Sequence, residues 1–312
     1  MTQTPLVVIV GPTAVGKTEI AIQLAERLNG EIISADSRLF YRGMDIGTAK
    51  PSLAERQRIP HHLIDIADPD QILGLAVFQK AAWRVIDDIH NRMRLPFLVG
   101  GTGQYVHAVI ETWEIPPIMP DPRLRRELER WADEIGAQGL HNRLAILDPP
   151  AAERIDWRNQ RRTVRALEVI LSSGVGFSTQ IKRAEPRYRL IQIGLHRPRP
   201  ELYDRIDTRI QNMLDMGLVG EVQGLLDKGY TPDLSTLSAI GYREIIAYLK
   251  GEISLGEAAT IMKRKTRVLV RRQANWFKEQ DESIHWFRAN ETAVDAAEAL
   301  LHNWLEEKSE RV

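Results

Sequence analysis

The chain has 312 residues, of which 43% are hydrophobic and 27% charged, and it contains no cysteine. This length and composition suit one large folded domain or two smaller ones, and they exclude a disordered chain, a disulfide scaffold and a zinc site built on thiolates. The 42 basic residues balance the 42 acidic ones, so net charge gives no support for nucleic-acid binding.

The N-terminal segment lacks the features of a targeting signal. Met1–Pro5 has no basic residue, and the apolar run Leu6–Val10 is too short for a signal or membrane helix. We therefore expect a cytoplasmic protein with no membrane association. Nothing in the sequence indicates an oligomer, and a monomer is the default expectation.

Short apolar runs alternate with helical patterns along the chain. Leu6–Val10 predicts a strand that turns at Gly11, and the apolar spacing from Thr18 predicts a helix ending near Asn29-Gly30. Further strands are predicted at Glu31–Ala35, Pro96–Val99 and Tyr188–Leu195. Because strands that alternate with helices usually form a parallel sheet covered on both faces, we predict an α/β fold.

A proline-rich segment interrupts this alternation. Ile115–Pro122 has four prolines in eight residues, which neither a helix nor a central strand tolerates. The residues beyond it carry helical patterns and many arginines, and the chain returns to the sheet at Tyr188. We therefore predict an α/β core with C-terminal helices, made of residues 1–117 and 185–312, and a helical domain inserted at 118–184.

The segment after the first strand fits the phosphate-binding pattern G-x-x-x-x-G-K-[ST] between a strand and a helix. Its glycines let backbone N–H groups wrap a phosphate, and the helix N-terminus adds its dipole. Lys17 adds a positive charge, and Thr18 adds a hydroxyl ligand for Mg²⁺, the predicted cofactor. The pattern predicts a P-loop NTPase-like core that binds a di- or triphosphate through Gly11, Pro12, Thr13, Ala14, Val15, Gly16, Lys17 and Thr18.

The acid that P-loop ATPases and GTPases carry at the end of a later strand is missing. Pro96–Val99 runs into Gly100-Gly101-Thr102, and Asp87-Asp88 lie in a helical pattern. The acid at a strand end is Asp36, where a carboxylate beside the phosphates would reach an incoming nucleophile as a catalytic base. The alternative is that Asp36 only initiates a turn before Ser37.

Further motifs follow in order along most of the chain. They are Ser34–Pro51, Pro60–Asp65, Gly100–Tyr105, Arg165–Val169, Leu202–Ile206, Gly217–Val222, Ala239–Glu244, Thr266-Arg267 and Arg272–Phe277. Together with the phosphate loop they resemble the tRNA dimethylallyltransferases, also called tRNA isopentenyltransferases. The resemblance implies transfer of a dimethylallyl group from dimethylallyl diphosphate to the exocyclic amine of the adenine 3′ of the anticodon, with the tRNA anticodon stem-loop as partner.

The resemblance also implies roles for individual residues. Asp36 matches the family aspartate that accepts a proton from the adenine amine, while Lys17 and Thr18 with Mg²⁺ stabilise the leaving diphosphate. Thr102 matches a position near the target nucleotide, and Arg205 matches an arginine near the diphosphate.

Lys50 is a second cationic candidate beside the diphosphate. From the residues alone, an ordinary role stays open for several of these side chains. Lys50 fits a solvated lysine, Thr102 fits the end of a turn, and Arg205 fits the charged face of an amphipathic helix.

For the tRNA, the resemblance implies contacts from Asp36, Ser37, Arg38, Leu39, Thr102, Arg123, Leu124, Gln160, Arg161, Arg162, Thr163 and Val164. Charge supports an RNA partner, because Arg154–Arg165 has five arginines in twelve residues and Lys263–Lys278 has seven basic residues in sixteen. The target adenine must leave its stack to reach a buried diphosphate. The sequence departs from the usual family pattern at Leu39, Gly74 and Asp156–Asn159.

Two other functions stay open at this point. A P-loop kinase would share the loop and the sheet, with Arg161, Arg162 and Arg165 on a mobile lid, but the missing acid after the third strand argues against it. A non-catalytic RNA-binding protein would keep only a relic of a nucleotide site, and this explanation is weak because Lys17, Thr18 and Asp36 are all intact.

Overall fold

The structure is a computed structural model that describes residues 3–71, 73–115, 121–180 and 182–307. The chain separates into two compact units. The first comprises Met1–Leu73, Val77–Ile110 and Pro186–Val312, and the second comprises Gly74–Ala76 and Glu111–Glu185. Residues 118–184 of the predicted insertion fall within the second unit.

The predicted strands are confirmed, with small differences at their ends. The strands of the described residues are Thr4–Val10 (β1), Gly30–Ser34 (β2), His61–His62 (β3), Leu95–Gly100 (β4), Trp113–Glu114 (β5), Lys182–Arg183 (β6), Tyr188–His196 (β7) and Ile284–Arg288 (β8). Six of them form a sheet in the order β3-β2-β4-β1-β7-β8, in which every neighbouring pair is parallel. The first unit is therefore the predicted α/β fold.

Helices connect these strands and continue beyond them. Those of the first half are Lys17–Arg27 (α1), Leu53–Arg58 (α2), Leu75–Asn91 (α3), Gly103–Ile110 (α4), Pro122–Leu147 (α5), Pro149–Arg154 (α6) and Gln160–Ser173 (α7). The later ones are Phe177–Gln180 (α8), Arg199–Asp215 (α9), Leu218–Asp227 (α10), Tyr242–Leu249 (α11), Leu255–Gln273 (α12) and Ala293–Glu306 (α13). No helix in the described part of the chain is long and apolar enough to cross a membrane.

The register of the sheet brings four strand ends to one edge. Val10 at the end of β1 pairs with Gly100 of β4 on one side and with Gly194 of β7 on the other. Ser34, at the end of β2, pairs with Val99 of β4. In parallel sheets, ligands bind beyond the carboxyl ends of the strands, so the loops after β1, β2, β4 and β7 are the place to look for a site.

The second unit has its own apolar core. Helices α5, α6 and α7 bury Leu128, Leu140, Leu144, Ile155, Val164 and Leu167 against one another. Within α5, Gly136 has a φ of 77°, so two helical segments meet there at a kink. Strands β5 and β6 form an antiparallel pair where the chain enters and leaves the unit.

Candidate active site

The loop between β1 and α1 has the conformation that its glycines predict. Gly11 has a φ of 149°, and a Cβ there would lie 2.6 Å from the carbonyl oxygen of Leu195, so a larger residue does not fit. Gly16 has a φ of 110° and is the N-cap of α1. Lys17 and Thr18 therefore open the helix, where unpaired N–H groups and the helix dipole favour an anion.

Two arginines hold the carbonyl groups of this phosphate loop. Arg197, just beyond β7, donates from Nε to the carbonyl oxygen of Val15 at 2.9 Å. Arg205, on α9, donates from Nε to the carbonyl oxygen of Ala14 at 2.8 Å. These two bonds occupy the carbonyl oxygens of Ala14 and Val15 and place two guanidinium groups against the phosphate loop.

Lys17 folds back over the loop. Its Nζ donates to the carbonyl oxygens of Gly11 and Pro12, both at 2.9 Å. Burial lowers the pKa of Lys17 to about 8, an effect that Asp36 opposes and Arg209 adds to. The ammonium group is therefore closer to neutrality at physiological pH than an exposed lysine.

A cavity of about 280 Å³ lies over the phosphate loop. We call it the loop cavity, and its charged lining consists of the cations Lys17, Arg205 and Arg209 and the carboxylates Glu19, Asp36 and Glu55. Thr18 and Thr48 add hydroxyl groups to the lining. The structure thus brings together four residues that the sequence assigned to the reaction and adds Arg209.

A wider cavity of about 430 Å³ adjoins the first. The two share Thr13, Asp36, Thr48 and Arg209. Helices α9 and α12 give the wide cavity an apolar wall of Ile206, Ile210, Met213 and Met262. Asp36 therefore lies where the charged loop cavity meets a cavity that has an apolar wall.

Asp36 also makes the turn that was the alternative explanation for it. One of its carboxylate oxygens, Oδ1, accepts the backbone N–H of Arg38 at 3.0 Å, and its carbonyl accepts the N–H of Leu39 at 3.1 Å. These bonds hold the side chain in place two residues beyond β2. The turn therefore does not exclude a chemical role, because the carboxylate still lines both cavities.

Thr102 follows β4 and lines the wide cavity. Its carbonyl accepts the N–H groups of Tyr105 and Val106 at 2.9 and 3.2 Å, which starts α4. Gln273, from the end of α12, accepts the N–H of Thr13 at 2.9 Å and donates to the carbonyl of Gly101 at 3.1 Å. This one amide ties the phosphate loop to the turn that carries Thr102.

Sequence reasoning did not single out Arg197, Arg209 or the buried amide of Gln273. Arg209 lies one helical turn after Arg205, so the spacing of four residues was the available signal. Burial lowers the pKa of the Arg209 guanidinium, Asp36 opposes this and Arg205 adds to it, while Nη2 donates to the carbonyl of Thr48 at 3.4 Å. A charged face of an amphipathic helix normally meets solvent, which is why the pattern did not identify this residue.

The structure does not bring Lys50 to the loop cavity as the sequence predicted. Its Nζ donates to carboxylate oxygens of Asp45 and Asp65, both at 2.5 Å, and to the carbonyl of Tyr41 at 2.9 Å. The side chain is only 2% exposed. Because all three donor hydrogens of the ammonium are used, Lys50 braces its own loop and is not a free cation for a diphosphate.

The tRNA candidates of the first unit divide between the two cavities. Ser37 and Arg38 line the wide cavity with Thr102, whereas Leu39 lines the loop cavity. Arg38 is also anchored, because its Nη1 donates to the carbonyl of Thr236 at 3.2 Å. Leu39, which departs from the family pattern, is thus placed on the side of the phosphate loop.

In the second unit the predicted RNA-contacting segment is partly buried. Arg123, Arg161 and Arg162 are exposed, and Leu124 and Gln160 are half-buried. Thr163 is 0% exposed and Val164, in the apolar core, is 2% exposed. The side chains of Thr163 and Val164 are therefore corrected from surface contacts to interior positions.

The two basic segments are less free than their sequences indicate. Arg165 pairs with the buried Glu168, whose carboxylate also binds Arg125. In the C-terminal segment, Lys265 pairs with Glu244 and Arg267 with Asp207, acids that α11 and α9 supply. The cations of this segment that remain without an ion pair among the described residues are Arg264, Arg271, Arg272 and Lys278.

The loop that carries Thr48 is anchored by Glu221 of α10. The carboxylate accepts the N–H groups of Asp45, Ile46 and Gly47 at 2.9, 2.7 and 3.0 Å, and the hydroxyl of Tyr242 at 2.6 Å. Burial first, and Glu221 next, raise the pKa of Tyr242, so its hydroxyl stays a donor. Glu221 belongs to the Gly217–Val222 motif and Tyr242 to the Ala239–Glu244 motif, so this cluster connects the two motifs to the loop of Thr48.

We expect Glu221→Ala to lower the free energy of unfolding by roughly 1–3 kcal/mol, because several N–H groups lose their acceptor at once. Denaturant unfolding followed by circular dichroism measures the change. Glu279→Ala, which removes an exposed carboxylate, is the matched control. A denaturation midpoint of Glu221→Ala equal to that of the wild type would show that Glu221 does not stabilise the fold.

A glycine-rich loop between β1 and α1, with Lys17 and Thr18 at the carboxyl edge of a parallel sheet, defines a P-loop α/β protein. Comparison with known proteins identifies the family within this class. The profile of the family described as IPP transferase matches residues 39–280. The chain therefore belongs to the IPP transferase family.

Individual relatives are similar in sequence to most of this chain. A tRNA dimethylallyltransferase from Roseiflexus sp. (strain RS-1) is 52% identical over 274 residues, which cover 88% of this chain and 90% of that protein. One from Desulforudis audaxviator (strain MP104C) is 48% identical, covering 95% and 96%.

Solved structures agree in fold as well. A tRNA isopentenylpyrophosphate transferase from Bacillus halodurans is 44% identical with a TM-score of 0.74, covering 98% of each chain. A eukaryotic dimethylallyltransferase acting on tRNA is 27% identical with a TM-score of 0.78, covering 99% of this chain and 80% of that one.

Proposed function

We propose that this protein transfers a dimethylallyl group from dimethylallyl diphosphate to the exocyclic amine of the adenine 3′ of the anticodon in tRNA. The observation that carries the proposal is the position of Asp36, which lines both the loop cavity and the wide cavity. A donor held by its diphosphate in one cavity and an adenine in the other would meet at this carboxylate.

The loop cavity suits the diphosphate. Glu19, Asp36 and Glu55 also line it, but the N-terminus of α1 with Lys17, Arg205 and Arg209 places positive charge around the phosphate loop. When the bond between the allylic carbon and the diphosphate oxygen breaks, the electron pair leaves with the diphosphate, and these groups stabilise the negative charge that develops. Leaving-group stabilisation is the main catalytic requirement, because an allylic carbon ionises readily.

The wide cavity suits the other half of the reaction. A new bond forms between the adenine nitrogen and the allylic carbon, and the amine gives up a proton to the carboxylate of Asp36. The apolar wall of Ile206, Ile210 and Met213 excludes water from an electrophilic carbon that hydrolysis would otherwise consume. Thr102, directly before the N-terminus of α4, would donate a hydrogen bond from its hydroxyl to the adenine.

The donor set beside the phosphate loop fits Mg²⁺ carried in with the diphosphate. The Thr18 hydroxyl lines this cavity, and Mg²⁺ prefers oxygen ligands while keeping several waters, so an ion with few protein ligands suits the site. Among the described residues no group of three or more His, Asp or Glu side chains forms a metal cage. Thr18 would hold the ion through its hydroxyl, and the ion would supply charge neutralisation to the diphosphate when bound.

The test is transfer of labelled dimethylallyl from its diphosphate to unmodified tRNA with adenine 3′ of the anticodon. We expect label on this RNA, no label on an RNA with guanine at that place, and loss of transfer when EDTA removes Mg²⁺. Magnesium-dependent ATP consumption stimulated by a small acceptor, without labelling of RNA, would support a kinase and refute the proposal.

A further inference from the structure

The mouth of the wide cavity carries an exposed tryptophan. The lining residues that reach solvent are Gln104, Ser238, Leu269, Arg272 and Trp276. Trp276 is 39% exposed, whereas apolar residues of the inner wall, such as Ile206 at 1% and Met262 at 1%, are buried. A large aromatic side chain is thus left in water at the opening of a cavity that also contains Asp36 and Thr102.

The indole of Trp276 is held in a fixed position. A Cβ on Gly103 would lie 2.1 Å from its Cγ, so the ring packs directly on the glycine backbone at the start of α4. The ring of His107, on the next turn of α4, lies 5.6 Å away between centroids. These contacts back part of the indole and keep the remainder open to the cavity mouth.

A cationic side chain lines the same cavity as this ring. Arg272, one turn earlier in the chain, is exposed and has no ion pair among the described residues. An exposed aromatic ring and an unpaired guanidinium at one cavity are a combination that binds single-stranded nucleic acid, since bases stack on the ring and phosphates pair with the cation.

We propose that Trp276 is the stacking platform for the extruded adenine, and that Arg272 binds a phosphate next to that nucleotide. This inference rests on the proposed function, because it assigns the acceptor base to the wide cavity. A base lying on the indole has its edge directed into the cavity that Thr102 and Asp36 line. The ring thereby repays part of the stacking that the adenine loses on leaving the anticodon loop.

The sharpest experiment replaces the target adenine of an anticodon stem-loop RNA with 2-aminopurine, whose fluorescence is quenched by stacking. Without dimethylallyl diphosphate, we expect the base to stay quenched in the complex with the wild type and with Trp276→Phe. In the complex with Trp276→Leu the emission rises. Trp304→Leu, a half-buried tryptophan outside the cavity lining, is the matched control and leaves the emission unchanged.

Steady-state kinetics give the second readout. We expect Trp276→Leu to raise the KM for tRNA about tenfold while the KM for dimethylallyl diphosphate stays constant. A rise in the KM for the diphosphate substrate instead would assign Trp276 to the prenyl chain and overturn the inference. Unchanged emission and unchanged KM for tRNA would overturn it as well.

Stability and function are kept separate in this design. If Trp276→Leu does not fold, Trp276→Met, whose flexible side chain fills the space over Gly103, takes its place in both measurements. Trp276-dependent quenching in a protein that transfers no dimethylallyl group would refute the proposed reaction and keep the platform. Normal transfer with wild-type emission in both substitutions would refute the platform and keep the reaction.

Discussion

Asp36→Asn should lower kcat by roughly 10²–10⁴ while leaving the affinity for dimethylallyl diphosphate nearly unchanged. The amide keeps the shape of the carboxylate, and its oxygen can still accept the N–H of Arg38, so the turn after β2 is preserved. What is lost is the carboxylate that we propose accepts the proton of the adenine amine. Single-turnover transfer to unmodified tRNA, with direct titration of the diphosphate substrate, measures the two effects separately.

The control for this prediction is Asp70→Asn, which makes the same change at an exposed aspartate that lines neither cavity. Its transfer rate should equal that of the wild type. A wild-type rate in Asp36→Asn would remove Asp36 from the mechanism and leave it with the turn alone.

The parts of the site that the sequence predicted are those made by local chain geometry. The phosphate loop needs glycines at fixed positions between one strand and one helix, and Asp36 directly follows the next strand, so a short window contains the whole signal. The sheet follows in the same way, since its strands are short apolar runs with turn residues at their ends. For these features the structure differs from prediction by a few residues at most.

The rest depends on contacts between segments far apart in the chain. Gln273 reaches the phosphate loop across 260 residues of sequence, and no local pattern connects an amide near the end of α12 with Thr13. Arg209 looks like a solvated charge until α9 packs against the loop cavity. For Lys50 the error is the opposite one, since the sequence predicted a free cation. The fold pairs its ammonium group with the carboxylates of Asp45 and Asp65, and Asp65 lies fifteen residues away in the chain.

The same packing separates the free cations from the structural ones. In the segment Lys263–Lys278 the sequence shows no acid, yet Lys265 and Arg267 are paired by acids from other helices. The spacing of charges within one helix therefore overestimates the surface available to RNA. Arg272 lines the wide cavity and has no ion pair among the described residues, which leaves it available for the phosphate that we propose it binds.

Lys17→Ala should reduce kcat/KM for dimethylallyl diphosphate by roughly 10²–10³, because a buried charge next to the leaving group acts mainly in the transition state. The matched control is Lys80→Ala, which removes an exposed lysine of α3 and should leave kcat/KM unchanged. Thermal unfolding of both variants shows whether the loss of the bonds to Gly11 and Pro12 affects the fold.

The pKa of Lys17 also predicts the direction in which kcat/KM changes with pH. Burial lowers the pKa of Lys17 to about 8 in the free protein, so its charge is present below that pH and is lost as the pH rises through it. Because the charged form binds the anionic diphosphate, kcat/KM for dimethylallyl diphosphate should fall above pH 8, and binding there should take up a proton. Lys17→Arg retains its charge and should abolish the fall, whatever its absolute rate. A wild-type profile that stays flat to pH 9.5, or an identical fall in Lys17→Arg, would place the titrating group elsewhere.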